Sequence, residues 1–191
     1  MSVPTIETAQ LILRPFQPED ADAYAQAVLA NPTTARALPT NRPVPPQRAP
    51  SIIEGIRDHW EEFSYGLWAV IHRETGQLIG HCGLQRLGET ARVELTYAIE
   101  PEHVSGGLPL EATSAALRYG FESLHIAEIL AVILPENSAA RRVYSRLGMN
   151  PGPNVHVYEQ HLPSYSMLQG DFLPDESPYR IQGASHDSPS D

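Results

Sequence analysis

The stretch "ELTYAIEPEHVSGGLPLEA", Glu94 to Ala112, decides the reading of this 191-residue chain. Its first half alternates: Val93, Leu95, Tyr97 and Ile99 fall on one face of a strand, and Arg92, Glu94, Thr96 and Ala98 on the other. Its second half passes through two adjacent glycines, Gly106 and Gly107, into "LEATSAALRYGFESL", which has helical spacing. A glycine loop that opens a helix presents unpaired N–H groups at the positive end of the helix dipole, a setting that suits a phosphate. Pro109 stands in the same loop and has no N–H to offer. Proline is tolerated in a first helical turn, so the fold is not at risk, but one donor is missing.

Working outward from this loop, "AQLILRPF" reads as a strand and "PEDADAYAQAVLA" as a helix with acidic residues in its first turn. Asn31 to Pro50 holds six prolines and reads as a surface loop, followed by a helix from about Ser51 to Phe63. "GLWAVIHR" and "QLIGHCGLQRL" form a hairpin across "ETG". After the glycine loop and its helix come a buried strand, "EILAVIL", and a helix, "NSAARRVYSRLG", with an Asn cap and a closing glycine. Strands around "NVHVYEQ" and "YSMLQGDF" complete the sheet. The order predicts a mixed α/β domain over residues 1–173 with helices on the faces of a sheet. Residues 174–191 are polar and proline-punctuated and are expected to be disordered.

Composition narrows the function. The net charge is −10, and all 13 basic residues are arginine, so no lysine side chain takes part in catalysis. An acidic surface disfavours nucleic acid and steers cationic amines or basic peptides toward itself; its plainer purpose is solubility. No run of about 18 apolar residues suggests a membrane span. "MSVPTIETAQ" lacks the pattern of a signal peptide, so a cytoplasmic location is expected. The single cysteine, Cys82, cannot form an internal disulfide.

Three motifs, in order and with matching spacing from Ala9 to Met149, resemble the GNAT superfamily of acyl-CoA-dependent N-acyltransferases. They are "AQLILRPFQPEDADAY", "ELTYAIEPEHVSGGLPLEA" and "PENSAARRVYSRLGM". The set is most similar to the branch that acetylates ribosomal-protein N-termini. The resemblance implies a central, mostly antiparallel twisted sheet that splays at the fourth strand, with helices on both faces. It implies acetyl-CoA as co-substrate, with its pantetheine arm against the backbone of Tyr97, Ala98 and Ile99. The pyrophosphate would lie on Val104, Ser105, Gly106, Gly107, Leu108 and Pro109, with Asn137 near the cofactor. Family loops carry a basic or polar residue between their glycines, whereas "VSGGLP" has none; Arg141 or Arg142 could supply charge from the neighbouring helix. Losing one hydrogen bond to a charged group would cost about 1.5–3 kcal/mol.

Amide formation needs a neutral amine and a proton for the departing thiolate. Glu94 is the candidate base, directly or through water; an ordinary polar-face residue paired with an arginine is the alternative. Tyr144 is the candidate acid, at the position where the family places a tyrosine near the leaving sulfur; packing against the sheet is its alternative. Asn137 would serve as a helix cap in either case. His81, His103 and His156 have spacings that suit no standard metal site, and Cys82 reads as a small core residue. Trp60, Trp68 and Tyr65 are candidates for an acceptor pocket or for core. The expectation is a direct acetyl transfer from acetyl-CoA to a primary amine, either a small molecule or a peptide N-terminus, with a homodimer left open. The rival is a degenerate member that senses acyl-CoA or serves as an interaction module. A nucleotide-binding domain is excluded, because neither "GxxxxGK[ST]" nor "GxGxxG" is present.

Overall fold

The computed structural model describes residues 3–38, 41–104 and 106–183. Among the described residues nine strands form one open sheet: β1 (Thr5–Glu7), β2 (Leu11–Arg14), β3 (Leu67–His72), β4 (Leu78–Arg86), β5 (Val93–Ile99), β6 (Glu128–Val132), β7 (Asn150–Val157), β8 (Gln160–Leu168) and β9 (Arg180–Gln182). Their spatial order is β7-β8-β6-β5-β4-β3-β2-β1-β9, and only β5 and β6 run parallel. A parallel neighbour requires a crossover, and α3 (Leu108–Arg118) with the π-type turn Tyr119–Ser123 provides it.

The first motif is held by charge. Arg14, at the end of β2, makes a bidentate pair with Asp20, both N–O distances being 2.7 Å. Asp20 also accepts from the Gln17 backbone N–H at 2.8 Å, closing a capping box over the turn Pro18–Asp20. The chain then continues through α1 (Ala21–Tyr24) and a π-type turn, Ala25–Leu29. The fifteen residues of α2 (Ala49–Phe63) bury Ala49, Ile53, Ile56 and Trp60, one helical stripe. Trp60, Trp68 and Tyr119 meet edge to face or tilted, with ring centroids 4.8–6.1 Å apart, at the centre of the main core.

Glu111 ties the crossover to the far side of the sheet. Its carboxylate accepts from Thr8 Oγ1 at 2.6 Å and from Gln10 N and Nε2 at 2.7 and 2.9 Å, so the first turn of α3 is pinned to the β1–β2 turn. The last helix, α4 (Ser138–Arg146), starts on Asn137, whose side chain accepts from Ala140 N at 3.0 Å. It ends in a Schellman motif: Gly148, at φ 83°, donates to Ser145 O and Met149 donates to Tyr144 O.

Two expectations need correction. The segment after Pro174 does not begin as a disordered tail: Arg180–Gln182 pairs antiparallel with β1, and the Arg118 guanidinium lies 4.5 Å from the Tyr179 ring centroid. Residues 184–191 lie outside the described residues. Nor is "NVHVYEQ" one continuous strand: Tyr158 and Glu159, at φ 50° and 59°, form the two-residue turn between β7 and β8, which begins at Gln160.

The Arg14–Asp20 pair has a pH signature. Burial alone would raise the Asp20 carboxyl, but the Arg14 hydrogen bonds and charge and the Gln17 N–H outweigh it and hold it below its ordinary 3.8. Such a group stabilises the fold above the unfolded value and stops doing so as pH falls. Asp20→Asn is expected to lose about 1.5–3 kcal/mol in urea unfolding at pH 7. The gap to wild type should narrow as pH falls below 3.8. A gap independent of pH would contradict this.

Candidate active site

The sheet opens at its centre. β5 and β6 pair only at Val93–Ile129 and Glu94–Leu130 and then part. Which backbone groups this frees follows from the β4 side. Glu100 N donates to Ile79 O, so in the antiparallel β4–β5 ladder the even-numbered residues of β5 face β4, and Ala98 pairs with His81. Leu95, Tyr97 and Ile99 turn their N–H and C=O groups toward the gap. The hydroxyl of Tyr144 reaches the Leu95 carbonyl from that side at 3.4 Å.

Glu94 sits where the strands divide and is 3% exposed. Its Oε2 accepts from Gln85 Nε2 at 2.9 Å and from Tyr158 Oη at 3.0 Å. Gln85 is its cross-strand partner on β4, and Tyr158 is delivered by the left-handed turn of the β7–β8 hairpin. Burial raises the Glu94 carboxyl above its ordinary 4.5, and the bonds from Gln85, Tyr158 and the Val132 backbone only partly offset it. The alternative of a surface pair with an arginine is absent: the carboxylate is enclosed and held by neutral donors.

Tyr144 projects from α4 and is 3% exposed. Its backbone carbonyl receives the closing bond of the Schellman motif, so the cap that ends α4 also fixes this side chain's base. Its ring stands edge-on to Tyr97 at 6.1 Å. Burial, then the neighbouring Tyr97, Glu94 and Cys82, raises its phenol well above 10.0, so it holds its proton throughout the neutral range.

Three cavities meet along this line. A central one of about 40 Å³ is walled by Glu94, Tyr97, Asn137, Tyr144 and Tyr158; at roughly 10–15 Å³ per water, it has room for a few. A second, about 420 Å³, shares Tyr97 and Asn137 with it and is bounded by Ile99, Val104, Thr34 and Arg36. A third, about 360 Å³, shares Leu38, Gln85 and Thr96 with the centre and lies between β3–β5 and α2.

The glycine loop forms as expected in outline. Gly107 takes φ 78° as the cap of α3, a conformation that favours glycine, and Pro109 is the second helical residue. Glu111 N donates to Gly107 O, and at this helix start no backbone acceptor among the described residues takes the N–H groups of Leu108 and Leu110. A Cβ on Gly106 would meet only Leu108 Cγ, at 3.8 Å; Ser105 lies outside the described residues. Arg141 folds back on its own helix start, donating to Pro135 O at 3.3 Å, and is not part of the 420 Å³ cavity wall. Among the described residues the cation on that wall is Arg36, beside Thr34, whose buried hydroxyl finds no hydrogen-bond partner among them. Both belong to the proline-rich segment. The sequence reading overlooked them, along with Gln85 and Tyr158; a threonine and an arginine in a loop without a motif carry no signal by themselves.

The remaining candidates resolve as packing. Trp60 and Trp68 bond Leu67 O and Pro4 O within the core, and neither they nor Tyr65 line a cavity described above. Burial raises the Cys82 thiol, which leaves it unreactive. His103 lies 3.8 Å from Glu100, and His156 against His161. His81 is different: it is buried on the wall of the 360 Å³ cavity, with Nδ1 3.0 Å from the Tyr24 hydroxyl. Among the described residues no three His, Cys, Asp or Glu side chains cluster so as to hold a metal ion.

A parted β5–β6 pair followed by a glycine loop and helix is the arrangement that the sequence motifs anticipate. The profile of the acetyltransferase (GNAT) domain matches residues 10–150. The chain belongs to the GNAT acetyltransferase family. It is 32% identical over 146 residues to the uncharacterized N-acetyltransferase YoaA of Bacillus subtilis, covering 76% of this chain and 82% of that one. The fold is similar to that of an acetyltransferase from Agrobacterium tumefaciens, with a TM-score of 0.76 at 24% identity over 87% of this chain and 95% of that one. It is also similar to Mycobacterium smegmatis RimJ, solved in complex with CoA-disulfide, with a TM-score of 0.71 at 18% identity over 86% and 87% of the two chains. No helix among the described residues is long and apolar enough to cross a membrane.

The environment of this GNAT chain's Glu94 makes a direct prediction. Carboxyl NMR should find Glu94 titrating above 4.5. Tyr158→Phe should move it higher still, because the tyrosine bond favours the charged form. Titration at or below the ordinary value, or a downward move in the variant, would contradict the assignment.

Proposed function

We infer that the protein is an acetyl-CoA-dependent N-acetyltransferase that acts directly on a primary amine. The observation that carries this reading is Glu94. It is a buried carboxylate with a raised pKa, on the wall of the small central cavity that shares residues with both large ones, where β5 and β6 part. Raising the pKa of a carboxyl strengthens its carboxylate as a base for proton transfer.

The wall of the 420 Å³ cavity fits a molecule that needs amide-pairing backbone and polar contacts. Tyr97 and Ile99 offer unpaired backbone groups, Asn137 stands at the cavity's inner end, and the unpartnered Thr34 hydroxyl lies on its wall. When bound, acetyl-CoA supplies an activated acetyl thioester. Tyr97 and Ile99 hold and orient the arm that carries it, in place of Ala98, whose backbone is committed to β4. The N–H groups of Gly107, Leu108 and Leu110, at the start of α3, would take the phosphates, and Arg36, on the wall of the 420 Å³ cavity, would add the charge that the loop lacks. Glu94 takes the proton of the attacking amine, directly or through water in the central cavity. Tyr144 keeps its proton at Oη until the leaving group needs it; its raised pKa is no obstacle, since the same burial raises the basicity of any anion formed beside it.

Pro109 supports a second reading, a protein that binds acyl-CoA weakly and senses it without catalysis. That reading requires Pro109→Ala to bind acetyl-CoA about 10- to 150-fold tighter than wild type, the equivalent of one charged hydrogen bond. The enzyme reading requires wild type to bind at micromolar concentration already, with a smaller gain.

Two variants test the enzyme reading. Glu94→Gln should lower kcat about 10²- to 10⁴-fold and remove the acid limb of the pH–rate profile, with acetyl-CoA affinity unchanged. Thr34→Val removes a hydroxyl that is buried without a partner, so it should stabilise the free protein while weakening acetyl-CoA roughly tenfold in calorimetry. A destabilised free protein with unchanged affinity would take Thr34 out of the site, and full activity in Glu94→Gln would take out the base.

A further inference from the structure

The 360 Å³ cavity on the other side of Glu94 has a chemistry of its own. Its volume lies in the range of about 300–1,000 Å³ usual for small-molecule sites. Most of its wall is hydrocarbon, including Leu29, Leu38, Val44, Ile52, Ile56 and Leu67. Among the described residues no aspartate, glutamate or arginine lines it; the polar side chains are the Tyr24 hydroxyl, His59, His81, Gln85 and Thr96.

Both histidines are uncharged. His59 is fixed by its bonds: Nδ1 lies 2.8 Å from the Tyr65 carbonyl, which can only accept, and Nε2 lies 3.3 Å from the Arg86 backbone N–H, which can only donate. The proton is therefore on Nδ1, and Nε2 has none. His81 is fully enclosed, and burial lowers its pKa to about 4. A second cation or a carboxylate carried into this cavity would find no counter-charge, and an unpaired buried charge is costly.

Gly55 is an independent mark on the same cavity. It stands in the middle of α2, where glycine destabilises a helix relative to alanine. No positive φ and no close approach explains it: a Cβ there would meet nothing within 4 Å. Gly55 lines the cavity and is exposed, so what it provides is open width at the mouth. At the inner end, Gln85 and Thr96 belong to this cavity and to the central one, and Gln85 bonds Glu94. A ligand with its body in the apolar cavity thus directs one end group toward the base.

We propose that the acceptor is a small primary amine with a single amino group on an uncharged aromatic or alkyl body, rather than a polyamine or a basic peptide. The proposal rests on the acetyltransferase reading and assigns the substrate class of its acceptor side. The amino group loses its proton to Glu94, the new C–N bond replaces the thioester C–S bond, and the released thiol carries the remaining proton. The acidic surface attracts amines in general, but the uncharged cavity selects those whose only charge is the one that is removed.

The test compares 2-phenylethylamine, spermidine and a peptide beginning Ala-Arg as acceptors for the full chain, with thiol release and calorimetric acetyl-CoA binding measured together. The amine with one charge is expected to have a kcat/KM at least tenfold above either competitor. Gly55→Leu, which adds bulk where there is space, should raise its KM at least fivefold with acetyl-CoA affinity and melting temperature undiminished. Gly55→Asp, which brings a carboxylate to the mouth, should narrow or reverse the preference over spermidine. Better turnover of spermidine or the peptide by wild type overturns the proposal, as does an unchanged KM in Gly55→Leu. Acetyl-CoA binding with no acetylation of 2-phenylethylamine overturns this proposal alone. Absence of acetyl-CoA binding in folded protein overturns the acetyltransferase reading with it.

Discussion

The separation of β5 from β6 just beyond Glu94 is the constraint around which the rest of the molecule is arranged. A parallel pair that stops after two residue pairs leaves backbone groups without partners in the middle of a sheet, and buried unpaired backbone is costly. The structure answers this with polar groups from elsewhere: the Tyr144 hydroxyl covers the Leu95 carbonyl, and the Glu94 carboxylate takes donors from Gln85, Tyr158 and Val132. Tyr97 and Ile99 remain available. The opening of the sheet and the burial of the Glu94 carboxylate are therefore one structural event.

The motif residues that made the family legible are mostly the ones that keep this opening in place. Arg14 and Asp20 lock β2 to the first helix, and Glu111 pins the start of the crossover helix to the β1–β2 turn. Asn137 caps α4, and Gly148 ends it in a motif that also fixes Tyr144. Each is a local interaction between residue types with few other uses, and for that reason a sequence displays it. The alternation around Glu94 and the helix after Gly107 were readable for the same reason.

What could not be read depends on register and on turns of unusual composition. Tyr158 reaches Glu94 only because a Tyr-Glu pair adopts left-handed angles in a two-residue turn, where asparagine or glycine is the recognisable signal. Gln85 matters because the β4–β5 register sets it opposite Glu94, and the same register commits the Ala98 backbone to β4. Thr34 and Arg36 come from a proline-rich segment with no periodicity, and β9 is a three-residue strand that exists by pairing with β1. Trp60, Trp68 and Tyr65 read equally as pocket lining or as core, and the two tryptophans are core; the 360 Å³ cavity is lined by other residues, among them a helical glycine, Gly55.

The most direct measurement is residue-resolved amide hydrogen exchange with and without acetyl-CoA. Acetyl-CoA is expected to slow exchange at Tyr97 and Ile99, whose N–H groups face the gap, and to leave Ala98, already paired with His81, as it was. Protection that leaves Tyr97 and Ile99 unchanged, or that arises at Ala98 alone, would contradict the claim that the parted strand is the binding edge.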